Sequence, residues 1–143
     1  MTPSHVLVPL DGSRLADEAL DHALATFDCR VTVLNVVTPL DGAMSEGAGF
    51  VTDRDRLDEA EDRASERVEA ARRRVGPADR SVETVVETGD PSETILAYVE
   101  AHDVDHVVMG SHGEDGGELR RRLLGTVSTA VIGEAPVPVT VVR

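Results

Sequence analysis

Five short apolar runs, set apart by stretches with helical spacing, constrain this chain more than any other feature. The runs are His5–Pro9, Arg30–Val37, Ser81–Glu87, Asp105–Met109 and Val137–Val142. The first has no polar residue between His5 and Pro9, as suits a strand covered on both faces. Arg30–Val37 is rich in β-branched residues. Ser81–Glu87 alternates apolar and polar, which fits an edge strand. Between the runs lie helical patterns: Leu15, Ala16, Ala19, Leu20, Ala23, Leu24 and Phe27; then Leu57, Ala60, Ala64, Val68, Ala71 and Val75; then Ile95, Leu96 and Val99. Thr126–Ile132 reads as a short last helix. The order β-α-β-α-β-α-β-α-β predicts an open, mostly parallel α/β sheet of five strands with helices on both faces.

Local signals agree with that order. Ser13 follows Asp11-Gly12 and can cap the first helix. Thr52–Asp55 has capping-box form. Asp90, Pro91 and Glu93 read as N-cap, first helical residue and third. Pro39–Val51 is a loop, either a flap or a plain excursion. The length of 143 residues fits one domain, residues 1–143, with no repeat and no linker.

Ligands of such sheets bind outside the carboxyl ends of the strands, at the point where strand order reverses. Pro9–Ser13, Val36–Pro39 and Gly110–Gly113 lie there. Gly110, Gly113 and Gly125-Thr-Val-Ser128 form a candidate phosphate cradle, because glycines admit close backbone approach and a helix start offers unpaired N–H groups. Lysine is absent, so this is no P-loop, and the first strand lacks the dinucleotide glycine fingerprint. The five histidines have no ligand-type spacing, so no metal site is expected. His112 alone sits inside the cradle. No nucleophile elbow or supported Ser-His-Asp order is present, which favours a binder over an enzyme built for turnover.

Charge sets the partners. There are 27 acidic residues against 14 basic ones, all arginine, for a net of −13. Such a surface repels nucleic acid and anionic membrane. In molar salt the Debye length falls to ~3 Å and the self-repulsion is screened. The composition therefore points to a salt-rich cytoplasm and a halophilic source. Cys29 is the single cysteine, so no intrachain disulfide forms. The start of the chain lacks a signal-peptide pattern, and no segment is apolar enough to span a membrane. A cytoplasmic protein is the expectation.

Val8-Pro-Leu-Asp-Gly-Ser13, Leu34-Asn-Val-Val37, Gly89-Asp-Pro91, Gly110-Ser-His-Gly113 with Gly125-Thr-Val-Ser128, and Ala135-Pro-Val-Pro-Val139 together resemble the universal stress protein family, within the adenine-nucleotide α-hydrolase-like group. The family's nucleotide-binding branch carries a nine-residue spacer before the third glycine; here Glu114–Leu124 makes eleven. The resemblance implies a strand order of 3-2-1-4-5 and an ATP-binding stress-response protein, a nucleotide-dependent regulator or protective factor. It implies that Pro9, Leu10, Asp11, Val36 and Met109 meet base and ribose. Gly110 and Gly113 would line the ribose–phosphate path, and His112 between them either touches ribose or phosphate or is a loop histidine with no role. Gly125, Thr126, Val127 and Ser128 would hold the phosphates through N–H and hydroxyl groups. Any Mg2+ or Mn2+ would be held through the phosphates. Arg120–Arg122 in the spacer would either help there or pair with surface carboxylates. The last strand, Val137–Val142, would pair with its mate in a homodimer. The alternatives are a dimeric stress protein that binds no nucleotide, and a slow nucleotide hydrolase.

Overall fold

The computed structural model describes residues 3–37, 53–75, 82–111 and 125–143. Strand β1, His5–Pro9, leads into helix α1, Arg14–Thr26. Strand β2, Arg30–Val37, is followed by the long helix α2, Asp53–Val75, and by β3, Val82–Thr88. Helix α3, Pro91–Ala101, strand β4, His106–Gly110, helix α4, Thr126–Glu134, and strand β5, Val139–Val142, complete the order. The capping box at Thr52 lies outside the described residues, as do the segments 38–52 and 112–124.

All pairings are parallel, in the order β3-β2-β1-β4-β5. This is the order that the family resemblance implies. Side chains alternate between two cores. Val6, Val8, Val31, Val33 and Val108 pack with α1 on one face. Leu7, Leu34, Val107 and Met109 pack with α3 and α4 on the other. No helix among the described residues is long and apolar enough to cross a membrane.

Several boundaries differ from the sequence pattern. β4 begins one residue later and runs on through Gly110, and β3 runs on through Thr88; Ser81, its expected first residue, lies outside the described residues. β5 begins at Val139 rather than Val137. Pro138 has no N–H to donate, and only its carbonyl joins the ladder, accepting from Val107 N at 3.0 Å. α4 continues past Ile132 to Glu134 and stops at Ala135, where Pro136 disfavours helical backbone in the residue before it.

The β1–β4 pairing is short. β1 stays in register with β2 as far as Pro9–Leu34, but with β4 only at Val6–His106 and Leu7–Val107. Leu10 N donates to Leu34 O, so by alternation the position of Pro9 faces β4, where a donor is missing. The strands part there and leave a crevice. On the other side of β1, Asn35 on β2 is buried and its Nδ2 donates to Leu10 O at 2.6 Å, which fixes the turn after β1.

The other end of the sheet is closed by a buried imidazole. A carbonyl only accepts, so His5 Nδ1 donates to the His102 carbonyl at 3.1 Å, and in the neutral ring Nε2 accepts from the Thr32 hydroxyl at 2.7 Å. Burial is the main cause holding the His5 pKa below 6.5, with Arg30 adding to it; the His102 bond, Glu83 and Asp105 oppose it. His106, half-buried beneath the Phe27 ring and bonded to Thr140, is pushed down by burial as well.

Two outcomes are expected. Asn35→Leu strands the Leu10 carbonyl and costs about 1–3 kcal/mol. The urea midpoint should drop with an unchanged slope; an unchanged midpoint would contradict the role of that bond. Both histidines bind a proton more readily unfolded than folded. Stability is therefore full above the unfolded value of 6.5 and falls as pH drops through it towards the folded values. Urea midpoints at pH 7.5 and pH 5.5 should show that loss in the wild type. It should be much smaller in the His5→Gln, His106→Gln double variant, and equal losses would contradict the assignment.

Candidate functional site

The crevice between β1 and β4 opens into a cavity of about 230 Å³ at the carboxyl ends of the strands. Its floor is apolar: Ala16 from α1, Leu34 and Val36 from β2, Ile95 from α3 and Met109 from β4. Its rim is made of three helix starts, at Ser13, Pro91 and Gly125–Ser128. Asp11 is the one ionisable side chain among the described lining residues.

The three helix starts are not equivalent. Ser13 Oγ accepts from Ala16 N at 3.2 Å, and Ser13 N in turn donates to Asp11 Oδ1 at 2.9 Å. Asp90 accepts from Glu93 N at 3.1 Å and from Ser92 Oγ at 2.9 Å. The Glu93 N–H bond is the main cause holding the Asp90 carboxyl below its usual range. Both helices thus satisfy part of their own N-terminal need. α4 does not: its N-cap is Gly125, with no side-chain cap bond. The N–H groups of Thr126, Val127 and Ser128 have no acceptor within their own helix. They carry the positive end of the helix dipole into the cavity, where an anion is favoured.

Ser111 fixes that start in place. It is fully buried, and its carbonyl accepts from Gly125 N at 2.5 Å and from Ser128 Oγ at 2.6 Å. Ser111 N donates to Val142 O at 2.8 Å. Gly110, just before it, lets α1 close on β4. A Cβ there would stand 2.9 Å from Leu15 Cβ and 3.0 Å from the Leu15 carbonyl carbon.

Ten of the twelve residues expected from sequence line this one cavity: Pro9, Leu10, Asp11, Val36, Met109, Gly110, Gly125, Thr126, Val127 and Ser128. His112 and Gly113 lie outside the described residues. One expected role changes. The Ser128 hydroxyl has a single hydrogen, and its acceptors are Ser111 O and, at 3.0 Å, Gly125 O. That hydrogen is committed to the scaffold, so Ser128 offers an anion its backbone N–H. The sequence reading missed Ser111, whose contribution is a carbonyl that any residue could supply. It also missed Ala16, Leu34 and Ile95, which have the pattern of ordinary core. Ser13 and Pro91 were read as helix caps and not as lining. Among the described residues no group of three or more His, Cys, Asp or Glu is placed to hold a metal ion.

Comparison with known proteins follows the same lines. Residues 3–143 match the universal stress protein family. Universal stress protein MJ0531 of Methanocaldococcus jannaschii is 32% identical over 143 residues, covering 96% of this chain and 81% of that protein. Universal stress protein UspA from Lactobacillus plantarum superposes with a TM-score of 0.82 at 26% identity, over 100% of this chain and 99% of that one. A universal stress protein solved in complex with cAMP has a TM-score of 0.71 at 21% identity, covering 100% and 99% of the two chains. An Arabidopsis thaliana member solved with AMP bound has 0.69 at 20%, covering 98% and 91%. Matched along nearly its whole length, and with a relative above 30% identity, the chain belongs to the universal stress protein family.

Proposed function

We propose that this protein binds an adenine nucleotide, ATP, in the cavity between β1 and β4, and acts as a nucleotide-dependent regulator or protective factor in a stress response. The observation that carries this reading is the uncapped start of α4. Of the three helix starts around the cavity, it alone lacks a side-chain cap. The phosphates would take the N–H groups of Thr126, Val127 and Ser128. The apolar floor at Leu34, Ile95 and Met109 would take the adenine ring, which gains by leaving water. Asp11 uses Oδ1 in its own turn, which leaves Oδ2 for a ribose hydroxyl. Any Mg2+ or Mn2+ would come in on the phosphates. Family members solved with cAMP and with AMP support the choice of an adenine nucleotide.

A ligand that binds only the folded state raises its stability, by about 2.7 kcal/mol at a hundredfold excess over Kd. Millimolar Mg-ATP in molar KCl should raise the thermal midpoint. Gly125→Val should abolish the rise and leave the ligand-free midpoint close to wild type, because φ −71° and ψ 167° suit valine. No rise in the wild type would sink the proposal.

The open edge of β5 supports a homodimer through this strand. β5 is the last strand of the sheet, and its four residues are half-buried. Ile132, 42% exposed, lies on α4, the helix that leads into it. The carbonyls of Pro138 and Val142 point to β4, so by alternation the N–H groups of Val139 and Val141 point outward. Sedimentation should give a dimer for the wild type and a folded monomer for Val141→Pro. A monomeric wild type at micromolar concentration would refute pairing through β5.

A further inference from the structure

Arg67 reaches the site from a helix outside the cavity. It lies on α2, is exposed, and packs over the turn Asp11-Gly12-Ser13. A Cβ on Gly12 would stand 2.8 Å from Arg67 Cδ and 2.9 Å from Cζ, so a side chain there would push the Arg67 side chain aside. Gly12 has φ +86°, a conformation that glycine also favours. The neighbours on either side, Asp11 and Ser13, both line the cavity. The guanidinium thus lies over a turn whose Asp11 is the one charged side chain among the described lining residues.

The charge balance gives this position a consequence. The chain carries −13 overall, yet among the described residues Arg67 forms no ion pair with a carboxylate. A cation with no carboxylate partner among the described residues, packed on a turn whose neighbours line the cavity, is available to an incoming anion. Without it, a phosphate tail extending from a ribose held at Asp11 would have only backbone dipoles to offset the negative charge of the chain. Arginine also presents a planar fork that matches phosphate oxygens.

We propose that Arg67 is a specificity-determining residue of this site, which contacts the phosphate tail of the nucleotide and makes the protein prefer ATP to adenosine. This rests on the nucleotide reading above and assigns its phosphate selectivity to a residue that is not part of the cavity lining. Direct contact is required, because in molar salt charges more than ~3 Å apart are largely screened.

Titration calorimetry in molar KCl with ATP and with adenosine tests it. Arg67→Gln should weaken ATP binding about tenfold, the loss of one charge-assisted hydrogen bond, and leave adenosine binding unchanged. Arg67→Glu should weaken ATP further and again spare adenosine. Ligand-free thermal midpoints of both variants serve as the folding control. If both ligands bind the variants as they bind the wild type, or both weaken by one factor, Arg67 does not read the phosphates and the proposal fails alone. If the wild type binds neither ligand, the nucleotide reading fails and takes this proposal with it.

Discussion

β1 and β4 pair over two residues and then part, because Pro9 places no N–H where β4 would need one. Everything at the candidate site hangs on that separation. A sheet zipped to its ends would bury the strand tips against each other and leave no crevice. Here the tips of β1 and β4 stand apart while β1 stays fastened to β2 through Leu34 and Asn35. The crevice lies where strand order reverses, with helices approaching from both faces, and helix starts ring its mouth.

Under the proposed nucleotide reading, those helix starts answer a problem that the composition creates. An acidic chain without lysine that takes an anion must find positive potential other than in a lysine side chain. Backbone N–H groups supply it without changing the net charge. They act only where no side chain has already claimed them, which distinguishes α4 from α1 and α3. Ser111 makes the open start rigid by accepting two hydrogen bonds from the first turn of α4. The donors are thus set before any ligand arrives, which spares a binding event the cost of ordering them.

Much of this was legible in the residues. Periodicity predicted each described strand and helix within about two residues, and Ser13 and Asp90 cap the helices that their positions foretold. Strand order was not legible from pattern; it came from the likeness of four short stretches to a family. Illegible features share a cause: each depends on which distant backbone meets which. Asn35 reads as one polar residue in an apolar run until Leu10 O is found above it. The Ser128 hydroxyl reads as a ligand until Ser111 O claims it. Gly110 reads as a phosphate glycine, and the close approach of Leu15 adds a packing reason of its own. Arg67, in mid-helix between two charged stretches, carries no mark of its contact with the Gly12 turn.

Backbone amide shifts recorded during ATP titration in molar KCl test the central claim most directly. An anion at the start of α4 should move the Thr126, Val127 and Ser128 amides most. The Glu93 amide, already bonded to Asp90 at the start of α3, should move far less. Amides at 126–128 that stay still while ATP binds, or shifts centred on another helix start, would contradict a nucleotide site at this crevice.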